Sequence, residues 1–221
     1  MGSESVEPCV VAIDGPAGAG KSTVGRALAR RLGLSYLDTG AMFRAVAVAA
    51  LRAGVDPAAG APVAALAAAM DLDVGEVTVL LDGADVTAAI RTPEVNVAVS
   101  AVAANVAVRA ELRRRQVAWA TERGGGVIEG RDIGTVVFPD AMLKLYLTAS
   151  PAVRATRRHR EQSGQELAEV AAAIARRDHA DLSRSHAPLA EADDAVVVDT
   201  GDRSVDEIVD ELAAMVAARR R

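Results

Sequence analysis

Gly15, Gly20, Lys21 and Ser22 stand at the spacing G-x-x-x-x-G-K-[ST], within Gly15-Pro16-Ala17-Gly18-Ala19-Gly20-Lys21-Ser22-Thr23. This pattern binds the phosphates of a nucleotide. The glycines let the backbone wrap closely around a phosphate with its N–H groups turned inward. The following helix adds the partial positive charge of its N-terminus. Lys21 reaches the outer phosphates and the Ser22 hydroxyl is a magnesium ligand. The second signal is an acid, Glu129, which closes the apolar run Val127-Ile128. A carboxylate at a strand end beside such a loop is placed to hold magnesium directly or through water, or else to cap the next turn.

Arginines are the third signal. Arg44, Arg109, Arg131, Arg154, Arg157, Arg158, Arg177 and Arg184 are spread over several segments. Each alone reads as a surface residue. Beside a phosphate loop they form the donor set that phosphoryl transfer needs, because its catalysis is mostly positioning and charge neutralisation. Arg177, Asp181 and Arg184 share one helical face by spacing. His159, His179 and His186 match no metal-ligand spacing and read as solvated. The single cysteine, Cys9, lies in an apolar run and reads as a buried thiol.

The elements that position these groups follow from the pattern. Strands are expected at 9–14, 34–37, 127–128, 142–147 and 195–198, each followed by polar or turn residues. Helices are expected at 23–32, 41–53, 93–121 with a break near Asn105, 152–160, 166–183 and 205–218. Ser163-Gly164 separates the two basic-region helices. Strands alternating with helices predict a parallel sheet with helices on its faces. Asp14, Asp38, Glu129 and Asp132 end strands or follow them, at the edge where such sheets bind ligands, so they should converge with the loop. The stretch 63–90 breaks this rhythm. Asp82-Gly83 between β-type runs predicts an antiparallel hairpin. Arg113-Arg114-Arg115 reads as a solvated helix face.

Composition sets the limits. The 221 residues are 51% hydrophobic and 2% aromatic, with a formal charge of −5. That suits a packed globular chain and argues against a general nucleic-acid or membrane-surface binder. No apolar run reaches the roughly 18 residues of a membrane span, and the N-terminus lacks a signal pattern. A cytoplasmic protein is expected.

The chain resembles the bacterial cytidylate kinases, the short-chain type of nucleoside monophosphate kinase. The matching stretches are Ile13-Asp14-Gly15-Pro16 with the P-loop, Leu37-Asp38-Thr39-Gly40-Ala41-Met42-Phe43-Arg44 and Ile90-Arg91-Thr92-Pro93-Glu94-Val95. They continue with Glu129-Gly130-Arg131-Asp132-Ile133-Gly134-Thr135-Val136-Val137-Phe138-Pro139-Asp140-Ala141, Arg177-Asp178 and Ala187-Pro188-Leu189. Phe43 stands where the family more often has tyrosine. The resemblance implies a P-loop NTPase fold: a five-stranded parallel sheet flanked by helices, a small antiparallel-β/helical insertion that binds the nucleoside monophosphate, and a helical lid. It divides the chain into core at 1–62, 109–150 and 186–221, insertion at 63–108, and lid with acceptor-contacting helix at 151–185.

The implied reaction is ATP plus CMP or dCMP giving ADP plus CDP or dCDP, with Mg2+, in a monomer with no nucleic-acid or membrane partner. Ser100, Arg109 and Asp132 would recognise cytosine, and Arg44, Arg131 and Arg184 would hold the CMP phosphate. Asp181 and Arg177 would contact the sugar, and Thr39 would sit near the acceptor. Arg157 and Arg158 would belong to a mobile lid over the ATP phosphates. Lys21, Arg131, Arg157, Arg158 and Arg184 are thus the expected catalytic groups, residues 15–23 the ATP loop, and Ser22 with Glu129 the metal ligands. A different P-loop kinase would leave the insertion and the Gly130-Arg131-Asp132 run unexplained. A GTP switch needs an Asn-Lys-x-Asp that is not in this chain.

Overall fold

The computed structural model describes residues 8–161 and 166–220, so the expected Ser163-Gly164 break lies outside the described residues. The chain divides into two compact units: one reaching to Tyr36 and resuming at Ala120, the other running from Leu37 to Trp119.

The first unit is built on five strands: β1 (Cys9–Asp14), β2 (Tyr36–Asp38), where the chain passes into the second unit, β6 (Gly125–Glu129), β7 (Leu143–Thr148) and β8 (Val196–Asp199). They form one parallel sheet in the order β2-β6-β1-β7-β8. β1 is central, with Ile13 opposite Glu129 on one side and Leu145 on the other. Its Val11, Ala12 and Ile13 have no exposed surface, as expected for a strand buried on both faces. Helix α1 (Lys21–Leu32) and helix α8 (Val205–Arg219) pack together, and Val24, Leu28, Ile208, Leu212 and Val216 form one core with Val11, Ile13, Val127 and Leu145. Ser204 starts α8 with a capping box to Glu207. Helices α6 (Pro151–Glu161) and α7 (Leu167–Leu182) pack through Ala155, Val170 and Ile174.

In the second unit lie α2 (Thr39–Arg52), α3 (Gly60–Ala69), strands β3 (Leu72–Val74), β4 (Val79–Leu81) and β5 (Ala84–Asp85), and α4 (Pro93–Ala104). Most of α5 (Val106–Glu122) belongs to it. The strands form the expected antiparallel sheet, and Asp82 and Gly83 turn the hairpin with φ of 51° and 75°. β4 starts at Val79, just after a tight turn that Gly75 N–H closes by donating to Thr78 O. The break at Asn105 is held by its own side chain. Oδ1 accepts from Ala107 and Val108 N–H, Nδ2 donates to Gly60 O, and α4 and α5 meet at 93°.

Two features depart from the sequence reading. Ile133–Val137 forms a π-helical turn that no local pattern predicts. Arg115 is not solvated: it pairs with Glu111 and donates to Ala67 O and Ala68 O, capping the C-terminus of α3 where a cation is favoured. Among the described residues no single helix is long and apolar enough to cross a membrane.

Candidate active site

β1 ends at Asp14, and the phosphate loop leads directly into α1 at Lys21. Lys21 is 8% exposed, and its Nζ donates to Gly15 O at 2.9 Å and Pro16 O at 2.8 Å. Burial pushes its pKa down to about 7; the Arg131 charge adds to this, and Glu129 opposes it. Asp14 lies close enough to Lys21 for the two charges to interact. Its two oxygens accept from Ile133 N–H at 2.8 Å and Gly134 N–H at 2.7 Å, which fixes the start of the π-turn. Burial raises its pKa to about 6 despite those two bonds. Asp38 caps α2 by accepting from Ala41 N–H. Asp14, Glu129 and the loop lysine thus interact as expected, and Asp132 acts on Asp14, while the oxygens of Asp14 and Asp38 also hold backbone donors.

Glu129 does meet the loop. Ser22 Oγ donates to its Oε1 at 2.6 Å, and Tyr36 Oη reaches the same oxygen at 2.7 Å. The tyrosine can lie there because α1 has glycine at position 25, where a Cβ would stand 3.0 Å from Tyr36 Cε2. A hydroxyl and a carboxylate touching beside a phosphate loop fit magnesium, which takes one or two protein oxygens and keeps phosphate and water ligands. No group of three or more His, Cys, Asp or Glu forms a cage among the described residues.

Behind this pair lies an arginine network. Arg131 Nε donates to Asp181 Oδ2 at 2.8 Å, and Arg184 Nη2 pairs with Oδ1 of the same carboxylate. All three side chains are at most 16% exposed. Burial works against the Asp181 charge, but Arg131, Arg184 and Arg177 outweigh it and hold the carboxyl below its usual range. The Arg177 charge also acts on Lys21. Asp132 is buried and raises Asp14 electrostatically. The first unit thus brings together Lys21, Ser22, Glu129, Arg131, Asp132, Arg177, Asp181 and Arg184.

A family model for cytidylate kinase matches residues 11–218. The chain belongs to the cytidylate kinase family. It is 49% identical over 220 residues to the cytidylate kinase of Geobacter sulfurreducens, covering 96% of this chain and 94% of that protein. It is 52% identical to a bifunctional pantoate ligase/cytidylate kinase of Parasynechococcus marenigrum, over 95% of this chain and 44% of that longer protein. Among solved structures, a gluconokinase from Sinorhizobium meliloti superposes with a TM-score of 0.52 at 15% identity, covering 96% and 93% of the two chains; that similarity is one of fold. As a member of the cytidylate kinase family, the chain is a nucleoside monophosphate kinase, a phosphotransferase using ATP.

The remaining residues singled out from the cytidylate kinase resemblance have definite places. The Arg157 guanidinium donates to Thr200 Oγ1 at 2.8 Å and Thr200 O at 2.6 Å. Arg158 follows it, half-buried, on α6. In the second unit, Thr39 is buried at the start of α2 and Ser100 is half-buried on α4. Arg44 Nη1 donates to Ile90 O at 3.0 Å and Asn96 Oδ1 at 2.6 Å. Arg109 donates to Ala103 O and lies over the Phe43 ring, 5.6 Å from its centroid, so the phenylalanine keeps a cation–π surface for it.

Sequence reasoning missed Tyr36, Asn96, Asp178 and Thr200. Asp178 and Thr200 bond the phosphate loop itself: Ala17 N–H donates to Asp178 Oδ1, and Thr200 Oγ1 donates to Ala19 O. The Arg177-Asp178 pair stood inside a quoted family stretch, but nothing local said where Asp178 points. His179 and His186 are exposed as expected. His159 is only half-buried, with Nδ1 withdrawn from solvent, and Cys9 is half-buried beside Met142 Sδ and Arg220, not fully buried.

Proposed function

We propose that this chain transfers the γ-phosphoryl group of ATP to CMP or dCMP, giving ADP and CDP or dCDP. The observation that carries this is the single cluster in which Lys21, Ser22 and Glu129 adjoin the Arg131–Asp181–Arg184 network. A phosphate oxygen of CMP attacks the γ-phosphorus in line. The bond to the β,γ-bridging oxygen breaks, and its electron pair leaves with ADP. Lys21 and the loop N–H groups stabilise charge on the donor phosphates. Arg131 and Arg184 hold the acceptor phosphate, and Asp181 fixes their orientation. Ser22 and Glu129 would hold magnesium, Glu129 directly or through water, and the ion would supply charge neutralisation on the donor phosphates.

The residue assignments extend to both units. Asp132 accepts from the exocyclic amine of cytosine, a carboxylate pairing also used on nucleic acids. Ser100 and Arg109 frame the base, Arg44 adds to the acceptor phosphate, Arg177 and Asp181 serve the sugar, and Thr39 lies by the acceptor. Residues 63–108 act as the acceptor-binding insertion and 151–185 as the lid region, with Arg157 and Arg158 on the donor side. The protein works as a cytoplasmic monomer, with ATP and the pyrimidine nucleotide as its partners and no nucleic acid or membrane.

A panel of nucleoside monophosphates tests this reading. ADP formation that depends on CMP or dCMP is expected. Strong preference for another acceptor, or slow acceptor-independent hydrolysis, would replace it.

A further inference from the structure

Ala17 is the third residue of the phosphate loop, yet neither of its main-chain polar groups faces inward. Its N–H donates to Asp178 Oδ1 at 3.2 Å, and its carbonyl accepts from Arg154 Nη1 at 3.0 Å. The same Nη1 pairs with Asp178 Oδ2, and Arg154 Nε donates to Ala149 O at 3.1 Å. The two side chains are 10% and 13% exposed. The approach is close enough to need glycine at the next position: a Cβ on Gly18 would stand 3.0 Å from Arg154 O and 3.1 Å from Arg154 Cβ.

From these contacts we infer that Asp178 and Arg154 are positioning residues for the phosphate donor, an ion pair that fixes the loop at Ala17 so that the N–H groups beyond it are set before ATP arrives. An ion pair that only joined α6 to α7 would place its remaining donors and acceptors on those helices. Here the pair grips both polar groups of one loop residue, and Thr200 grips Ala19 O at 3.0 Å. Donors aimed in advance at a phosphate lose no energy to reorganisation, whereas a loop that must be ordered on binding does. A displacement of about 1 Å in such a cradle costs roughly a hundredfold in rate. The pair's own contribution to stability need not be large, because desolvation of two buried charges offsets much of their attraction.

The inference rests on the nucleotide kinase reading, and the experiment separates the two. ADP binding is measured by calorimetry for the wild type, Asp178→Ala, Asp178→Asn and the double variant Asp178→Ala/Arg154→Gln, and KM values for ATP and CMP are measured alongside. Asp178→Ala should weaken ADP about tenfold and raise the ATP KM in parallel, with the CMP KM within about twofold of wild type. Asp178→Asn keeps an acceptor for Ala17 N–H without the charge, so it should fall between the two, and its isosteric side chain guards against simple failure to fold. The double variant should be no worse than Asp178→Ala, since the pair acts as one unit. ADP affinity unchanged in Asp178→Asn, or CMP and ATP KM values rising in step, would overturn the positioning role. A wild type that binds ADP but ignores CMP overturns only the choice of acceptor; one that binds no ADP overturns both.

Discussion

Arg131 and Asp181 meet side-on, Nε to Oδ2 at 2.8 Å, and leave the other carboxylate oxygen to Arg184. One buried acid therefore neutralises two buried guanidinium groups. Asp181→Ala strands both cations, and removing one partner of a buried pair costs about 3 kcal/mol or more. The expected outcome is a lower urea midpoint together with a large loss of turnover, and Asp181→Asn should lose less stability. The depressed pKa of Asp181 means that its contribution is present above the unfolded value of 3.8 and is lost as pH falls through its lower folded value. An unchanged midpoint in Asp181→Ala would show that the arginines find other partners.

Lys21→Ala should reduce kcat on the order of a hundredfold or more, the scale of losing a donor to transition-state charge. Stability should hold or rise, because the ammonium is buried and its pKa is already pushed down to about 7. Thermal melting and a coupled ADP assay on the same preparation check both halves. Near-wild-type turnover would contradict the role given to the loop.

Asp14 should give the fold an unusual pH dependence. Its native pKa of about 6 lies above the unfolded 3.8, so between those values the native state holds more protons than the unfolded chain. Stability from this group therefore falls as pH rises from about 4 to about 6, by at most about 3 kcal/mol. Carboxylates held low, such as Asp181, act in the opposite sense. The informative quantity is the difference between wild type and Asp14→Asn in urea midpoint across that window. A difference that stays constant with pH would mean that Asp14 titrates normally.

Base choice should depend on Asp132. Cytosine offers an amino donor at C4 where uracil offers a carbonyl acceptor, and an unpaired buried polar group costs roughly 1–3 kcal/mol. CMP and dCMP should be good acceptors and UMP poor, by about tenfold or more. Asp132→Asn should narrow the CMP/UMP gap in kcat/KM, since an amide can present either a donor or an acceptor. Equal loss on both substrates would mean that the carboxylate only supports its own turn.

Much of this architecture is legible in the sequence because its determinants are local. Gly15 to Thr23 is contiguous, Asp82-Gly83 specifies its own turn, and Asn105 caps the helix that follows it. What could not be read is set by partners far along the chain. The π-turn at Ile133 answers to a carboxylate 119 positions earlier, and Arg115 caps a helix through a carbonyl 48 positions away. In a helical pattern a solvated arginine and a bracing one look alike. Arg154, Arg157 and Arg158 sit on the same short basic helix, yet the first two are bound to the loop and to Thr200.

Arg154 and Arg157 are one helical turn apart, and that spacing has a mechanical consequence. The first two turns of α6 are part of the wall of the phosphate cradle, held by hydrogen bonds to Ala17, Ala149 and Thr200. Any movement of these two turns has to break those bonds first. The start of α6 therefore serves as a brace for the phosphate loop and ties it to the C-terminal end of β8.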